Sequence, residues 1–298
     1  MPGASSRLDI QRAETAISTS LELHAGELRL ALRPDLGGCI AGLWLGKDAV
    51  LRSTEPAELT TSRLSGCYPL VPYSGRLGYR RFTWLGQAHT TSANFDDNPH
   101  SVHGVAWQRP WTLAARSAAE AELVYAHRPD AHWPFAFLLR QRFVLTPAAL
   151  EVHLAFTNQA DTAQPVGLGW HPYFPKRPRS RLHIEVSERW ESDASGLSTH
   201  RVPQPDIHAD VAGLAFDHCF EGWRGPARID DDKLSMRMSS SLPYLVVFTP
   251  GTKPYYCVEP VSHVSNAIQM ADPATHGLRS VAPGATSGAW MKLEVARA

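Results

Sequence analysis

Apolar and polar residues alternate with a period of two along much of this chain. In Glu27-Leu28-Arg29-Leu30-Ala31-Leu32 the leucines fall on one side and the other residues face away, the pattern of a half-buried strand. The same reading predicts strands at 41–51, 81–91, 111–115, 121–127, 135–145, 149–157, 182–191, 227–229, 233–239, 244–249, 255–258 and 288–296. Leu145-Thr146-Pro147-Ala148-Ala149 predicts a hairpin, as does Leu85-Gly86-Gln87, and hairpins imply antiparallel pairing. Short helices are alternatives at 118–123 and 261–270. No series of long amphipathic helices alternates with the strands, which excludes a doubly wound sheet or a TIM barrel and leaves an all-β chain, a large antiparallel β-sandwich. The stretch 192–213, rich in Ser, Pro, Asp and His, reads as a long surface loop of the kind that walls a binding site. The expected organisation is a poorly ordered segment over 1–19 and one domain over 20–298.

Composition narrows the partner. With 298 residues, 43% of them apolar, the chain can bury a large core. Lys plus Arg and Asp plus Glu both number 29, so no net field favours nucleic acid or an anionic membrane surface, and a small neutral ligand is expected. Cys39, Cys67, Cys219 and Cys257 are far apart with no C-x-x-C spacing, which argues against a zinc site or a disulfide framework and for a reducing compartment. The first twenty residues hold no apolar signal region, and no stretch is apolar enough to span a bilayer. These features point to a cytoplasmic protein; a monomer or homodimer is the accompanying expectation.

Several chemistries lack their motif. Gly167-Leu168-Gly169 begins like a dinucleotide turn but has neither the third glycine nor a following helix. There is no P-loop, no G-x-S-x-G elbow and no H-E-x-x-H. His100 and His103, with Asp96 and Asp97 nearby, are a weak metal signal without a third ligand in register, so no metal and no cofactor are expected.

Two proline-anchored segments carry the candidate chemistry. In Gly169-Trp170-His171-Pro172-Tyr173-Phe174 and Cys257-Val258-Glu259-Pro260 an imidazole and a carboxylate each precede a proline, which pushes the backbone to extended geometry and places both residues at or near strand ends. His and Glu together supply one acid and one base near neutral pH. Three further groupings accompany them: Tyr68 to Gly78, a Pro- and Gly-punctuated loop presenting Arg76; Asn98 to Trp107, in which Gly104 permits close backbone approach beside His103; and Asp217 between apolar neighbours in Phe216-Asp217-His218-Cys219-Phe220. A neutral sugar accounts for this mixture. Its hydroxyls need a donor such as Arg76, an acceptor such as Asp217 and a switchable group such as His103, while Tyr73, Trp107, Trp170 or Phe174 could cover its C–H face.

In these motifs the chain resembles the aldose 1-epimerases, or galactose mutarotases. The matching segments run in the family's order: Val71-Pro72-Tyr73-Ser74-Gly75-Arg76, His100-Ser101-Val102-His103-Gly104, Gly169-Trp170-His171-Pro172-Tyr173-Phe174, Asp217-His218 and Val258-Glu259-Pro260. The resemblance implies a large β-sandwich with a sugar cleft on a concave face and no cofactor. It places the general acid on His171, the general base on Glu259, and substrate binding on Arg76, His103 and Asp217. Where the family commonly has Asn before the arginine, this chain has Gly75. Two other readings are a hexose-6-phosphate epimerase, with Arg80 and Arg81 as the phosphate clamp, and a non-catalytic sugar-binding sandwich. The chemistry expects His171 to start protonated, raised by the neighbouring carboxylate, and Glu259 to start ionised.

Overall fold

The computed structural model describes residues 20–298, so the expectation for 1–19 lies outside the described residues. Alternation becomes sheet wherever one face is buried. Phe137–Thr146 sends Phe137, Leu139, Phe143 and Leu145 into the core, and Ala149–Asn158 adds Leu150, Val152, Leu154 and Phe156 opposite them across the Pro147-Ala148 hairpin. These two strands lie in a nine-stranded antiparallel sheet that runs from Thr112–Arg116 at one edge to Ile207–Asp210 at the other. An eight-stranded sheet is built from Ser198–Pro203, Glu188–Ser192, Asp217–Glu221, Tyr244–Phe248, Tyr255–Val261, Gly169–Trp170 and Pro69–Leu70, with Tyr173–Pro175 also paired to Tyr255–Val261. A four-stranded sheet opens with Leu21–Ala25 and Leu28–Arg33. The ladders between the strands of the described residues are antiparallel, and the expected sandwich class is met.

Four local expectations are corrected. Residues 192–213 are no structureless loop: they hold the strands Ser198–Pro203 and Ile207–Asp210 and a 3-10 turn at Val211–Gly213. The polar composition misled because both strands lie at sheet edges, where most of their side chains meet solvent. The predicted strand over 182–191 is two, Arg181–Glu185 in the larger sheet and Glu188–Ser192 in the smaller, so the chain changes sheet between them. Residues 118–123 run into the strand Glu120–His127, and 261–270 contain a single 3-10 turn, Ala267–Gln269.

Both candidate chemical residues sit on the eight-stranded sheet, and the geometry there is set by register. Gly169 pairs with Val261 and Tyr173 with Cys257. Counting inward from both ends places His171 directly opposite Glu259, at the point where the ladder is interrupted. Opposite residues of an antiparallel pair project to the same face. The interruption has a chemical cause, because Pro172 and Pro260 each remove a backbone donor there. Glu259 is therefore not at a strand end, as the proline suggested, but inside Tyr255–Val261, with Pro260 tolerated opposite the gap.

The loops over this sheet are fixed by close backbone approach. Gly104, at φ 70°, lies beside the Val71 carbonyl, which accepts from Val105 N at 2.9 Å and Ala106 N at 3.2 Å. A Cβ on Gly104 would stand 2.2 Å from that carbonyl oxygen. Gly104→Ala is expected to lower stability by about 2 kcal/mol or more, since it adds left-handed strain to a backbone clash; a urea denaturation midpoint equal to that of the wild type would contradict this.

Candidate active site

A cavity of about 720 Å³ opens over the face that carries His171 and Glu259. Its wall is formed by Arg76, His103, Asp217 and Ser265, by the aromatic rings of Tyr68, Phe95, Tyr173, Phe248 and Tyr255, and by the 192–198 turn through Ser192, Gly196 and Ser198. Five of the sequence-predicted residues thus meet in one place: His171, Glu259, Arg76, His103 and Asp217.

His171 Nε2 lies 3.4 Å from Glu259 Oε1, and both side chains are almost completely buried. The imidazole stacks on Tyr173, with ring centroids 4.4 Å apart and planes 12° apart, and its Nε2 is 3.5 Å from the Tyr173 hydroxyl. That hydroxyl is 3.0 Å from the Tyr68 hydroxyl, so two phenols continue the polar chain behind the pair. Burial raises both phenols and keeps them protonated as donors. His171 Nδ1 is buried with no partner among the described residues.

Burial also drives the pair itself toward neutrality. The His171 imidazole is held well below its usual range, first by desolvation and then by the neighbouring His103 and Arg52. The Glu259 carboxyl is pushed well above its usual range by desolvation and by Asp217, with Arg76 opposing. The expectation that the carboxylate would raise the histidine is therefore not met, because loss of water outweighs the attraction between the two groups. The neutral pair and the ion pair nevertheless contain the same number of protons and differ by one transfer across 3.4 Å.

The flanking groups are oriented by backbone. Gly75 and His103 bond reciprocally: Gly75 N–H donates to His103 Nδ1 at 3.1 Å, and His103 N–H donates to the Gly75 carbonyl at 2.8 Å. With Nδ1 an acceptor, the neutral ring carries its proton on Nε2, and burial beside Arg76 pushes His103 down to about 3, which keeps it neutral. The Arg76 guanidinium donates to the Gly196 carbonyl at 3.3 Å and lies 3.6 Å from Asp217 Oδ2. That partly exposed ion pair adds little to stability; its consequence is orientation. On this side the cavity presents donors in Arg76 and His103 and an acceptor in Asp217.

All four expected sugar-covering residues lie elsewhere, and Phe174 is buried in the core against Tyr256, 5.8 Å between ring centroids. Tyr73 packs against Trp133 at 5.7 Å and donates to Ser101 Oγ at 2.9 Å; Trp170 is buried and donates to Gln141 Oε1 at 3.3 Å; Trp107 is buried under Tyr68, 5.3 Å between centroids. None of the four borders the cavity, because each is turned into the sandwich core or supports a ring that does. The exposed aromatic faces belong to other residues, and period two could have found two of them: Tyr173 shares a face with His171, and Tyr255 with Glu259. Arg52 was not marked by any motif. Its guanidinium lies 3.6 Å from the Tyr173 ring centroid and donates to the Ser65 carbonyl at 2.9 Å. Arg80 and Arg81, the expected phosphate clamp, do not border the cavity.

The expected weak metal grouping has other duties. His100 accepts from Tyr79 N at 2.9 Å and holds the Ser195 carbonyl at 3.1 Å, and Asp96 pairs with Arg63 at 2.8 Å. A different set, His171, Cys257 and Glu259, brings three donor atoms within 4.8 Å of one another. Burial and Glu259 push the Cys257 thiol well above its usual range, which opposes the thiolate form a metal needs. All four cysteines are free and buried, and no helix among the described residues is long and apolar enough to cross a membrane.

The family model for aldose 1-epimerases matches residues 19–294. The uncharacterized protein YphB of Escherichia coli K12 is 30% identical over 294 residues, covering 93% of this chain and 99% of that protein. A crystal structure of an Escherichia coli K12 protein superimposes with a TM-score of 0.83 at 28% identity, over 94% of this chain and 99% of the other. A galactose mutarotase-like protein from Clostridium acetobutylicum has the same fold, with a TM-score of 0.83 at 20% identity over 94% and 95% of the two chains. A match of this extent, on a sandwich of this architecture, means that the chain belongs to the aldose 1-epimerase family.

Proposed function

We propose that this protein is a cofactor-independent aldose 1-epimerase that interconverts the α and β anomers of a free aldose such as galactose or glucose, in the reducing setting that four free buried thiols suit. The observation that carries the reading is the facing of His171 and Glu259 at 3.4 Å inside a cavity whose rim offers Arg76, His103 and Asp217 to hydroxyl groups.

Proton bookkeeping follows from the pair. Glu259 takes the proton of the anomeric hydroxyl as His171 gives one to the ring oxygen, and the C1–O5 bond breaks to leave the aldehyde. Rotation about C1–C2 turns the other carbonyl face toward the pair. Reclosure reverses both transfers and yields the opposite anomer, so nothing external is consumed. In the open-chain state Glu259 is the carboxylic acid and His171 the neutral imidazole. Those are the forms that burial favours. The low-dielectric floor thus works toward ring opening, and the sugar hydroxyls and Arg76 must solvate the ionic form when the closed ring is bound.

The same support bears on the alternatives. A hexose 6-phosphate would need its clamp from groups other than Arg80 and Arg81. A binder without turnover would have no use for an acid and a base buried face to face, at the desolvation cost both pay.

Glu259→Gln is expected to lower kcat for mutarotation by about 10² to 10⁴, the usual range for a lost acid/base group, with a smaller change in sugar affinity. Polarimetry corrected for the spontaneous reaction measures this, and a wild-type rate in the variant would end the assignment.

The pH profile is a second check. The one-proton state of the pair is lost on the acid side when His171 gains a proton and on the alkaline side when Glu259 ionises. Burial moves the first limb down and the second up. The profile of kcat/KM should have its acid limb below 6.5, the ordinary histidine value, and its alkaline limb above 4.5, the ordinary carboxyl value; an acid limb at or above 6.5 speaks against the pair as described.

Stability gives a third. The folded value of Glu259 is raised above the ordinary 4.5, so its contribution is complete below 4.5 and is lost as pH rises toward the folded value. His171 is lowered and acts in the opposite sense, but only up to 6.5. Above that pH the Glu259 slope alone remains, at most about 1.4 kcal/mol per pH unit. In urea unfolding at several pH values from 4.5 upward, with His171 present in both proteins, Glu259→Gln should gain on the wild type as pH rises, whereas parallel slopes throughout would refute a raised Glu259.

A further inference from the structure

The loop that presents Arg76 has little sheet of its own beyond Arg76–Leu77 paired with Ser101–Val102. Its other edge is held by side chains. Ser74 N–H donates to His263 Nε2 at 3.1 Å, Arg76 N–H to Ser265 Oγ at 3.0 Å and Gly78 N–H to Asn266 Oδ1 at 2.9 Å. The alternate backbone donors at 74, 76 and 78 thus meet three acceptors from one turn.

The three acceptors differ in what they have left. His263 Nδ1 donates to the Val264 carbonyl at 2.7 Å, and Asn266 Nδ2 donates to Gln269 Oε1 at 3.2 Å. Ser265 accepts from Arg76 N, but its hydroxyl proton has no acceptor among the described residues, and Ser265 borders the cavity beside Arg76 and Gly75. A hydroxyl whose oxygen is fixed by one bond can still rotate its hydrogen to suit a ligand. Gly75 makes the room. It has φ 66°, and a Cβ there would stand 2.6 Å from Ser265 Oγ and 2.9 Å from Ser265 Cβ.

We propose that Ser265 is a sugar-binding residue whose hydroxyl donates to one ring hydroxyl of the aldose on the Arg76 side of the cavity, and that position 75 is glycine because the Ser265 side chain occupies the space a side chain there would take. The inference rests on the reading of the cavity as an aldose site. Ser265 joins Arg76 and His103 Nε2–H as donors facing the ligand, with Asp217 as acceptor, so a hydroxyl bound there accepts from the first group and donates to the second. Accepting from Arg76 N–H polarises the Ser265 hydroxyl and strengthens it as a donor.

The test pairs substitutions with galactose and its 2-, 3-, 4- and 6-deoxy derivatives, with initial rates read by polarimetry. Ser265→Ala is expected to raise KM for galactose about fivefold to tenfold, as one neutral hydrogen bond would, with kcat little changed. Ser265→Thr, which keeps the hydroxyl, should restore KM. One deoxy sugar, lacking the partner hydroxyl, should lose the same factor in the wild type and nothing more in Ser265→Ala. Gly75→Asn, which tolerates left-handed backbone, should impair binding when Ser265 is present and add no loss to Ser265→Gly. An active wild type with Ser265→Ala unaffected, or penalised equally on every deoxy sugar, would overturn this inference alone and leave Ser265 a brace for the Arg76 loop. A wild type inert toward every sugar would overturn the parent reading and this one with it.

Discussion

The meeting of His171 and Glu259 depends on one register. Gly169 opposite Val261 and Tyr173 opposite Cys257 leave those two side chains no choice but to project together from the same face of the eight-stranded sheet. A one-residue slip would turn one of them to the other face. The prolines that follow each residue open the ladder at that point without losing it, since the other edge of the short segment is caught by His171 N–H to the Tyr68 carbonyl at 3.0 Å and Tyr173 N–H to the Gly66 carbonyl at 2.9 Å. The pair is therefore fixed by main chain on both sides, and its geometry is a property of the sheet and not of a loop.

The electrostatics follow from that placement. A sheet floor packed on a core holds little water, so an acid and an imidazole set into it lose solvation before they gain each other. The structure answers with neutral partners: phenols at Tyr68 and Tyr173 that stay protonated, and His103 held neutral between Gly75 and Arg76. Charged groups lie farther out, on Arg76 and Asp217 at the rim, where water and ligand share their solvation, while Arg52 stacks on Tyr173 and, with Arg63 and Lys253, adds positive charge to the wall. This grading from a largely neutral floor to a charged rim suits the aldose proposed above, which would exchange protons at one end and be gripped through hydroxyls along its side.

Much of this was legible in the sequence, for separate reasons. Period two located most strands because most have one buried face, as in Phe137–Thr146 and Ala149–Asn158. It failed where few side chains are buried: Asp217–Glu221, with only Cys219 and Phe220 buried, escaped notice as a strand, and Ser198–Pro203, wet on both faces at an edge, reads as loop. The chemical residues were marked by their prolines and glycines. The aromatic wall was misassigned for a physical reason, since residue type alone cannot tell a ring that borders a cavity, such as Tyr68 or Tyr255, from one that fills the core, such as Trp170. Arg52 and Ser265 come from parts of the chain whose contacts with the site are long-range, and nothing local to either position signals them.

The division between floor and rim has a further consequence for how such a site can change its ligand. The floor is tied to the register of a central sheet, so substitution there disturbs the fold and the chemistry together. The rim is different. The 73–78 loop is held by His263, Ser265 and Asn266 through side chains and not by a continuous ladder, so its shape can be altered by exchanging one side chain for another while the backbone donors at 74, 76 and 78 find new acceptors. Gly75 and Ser265 illustrate the constraint that remains: they share one volume, and a side chain can grow from position 75 only if position 265 gives it up. On the proposed reading, selectivity for one arrangement of ring hydroxyls over another would be set by such coupled pairs on the loops, above a His171–Glu259 pair that the sheet holds constant.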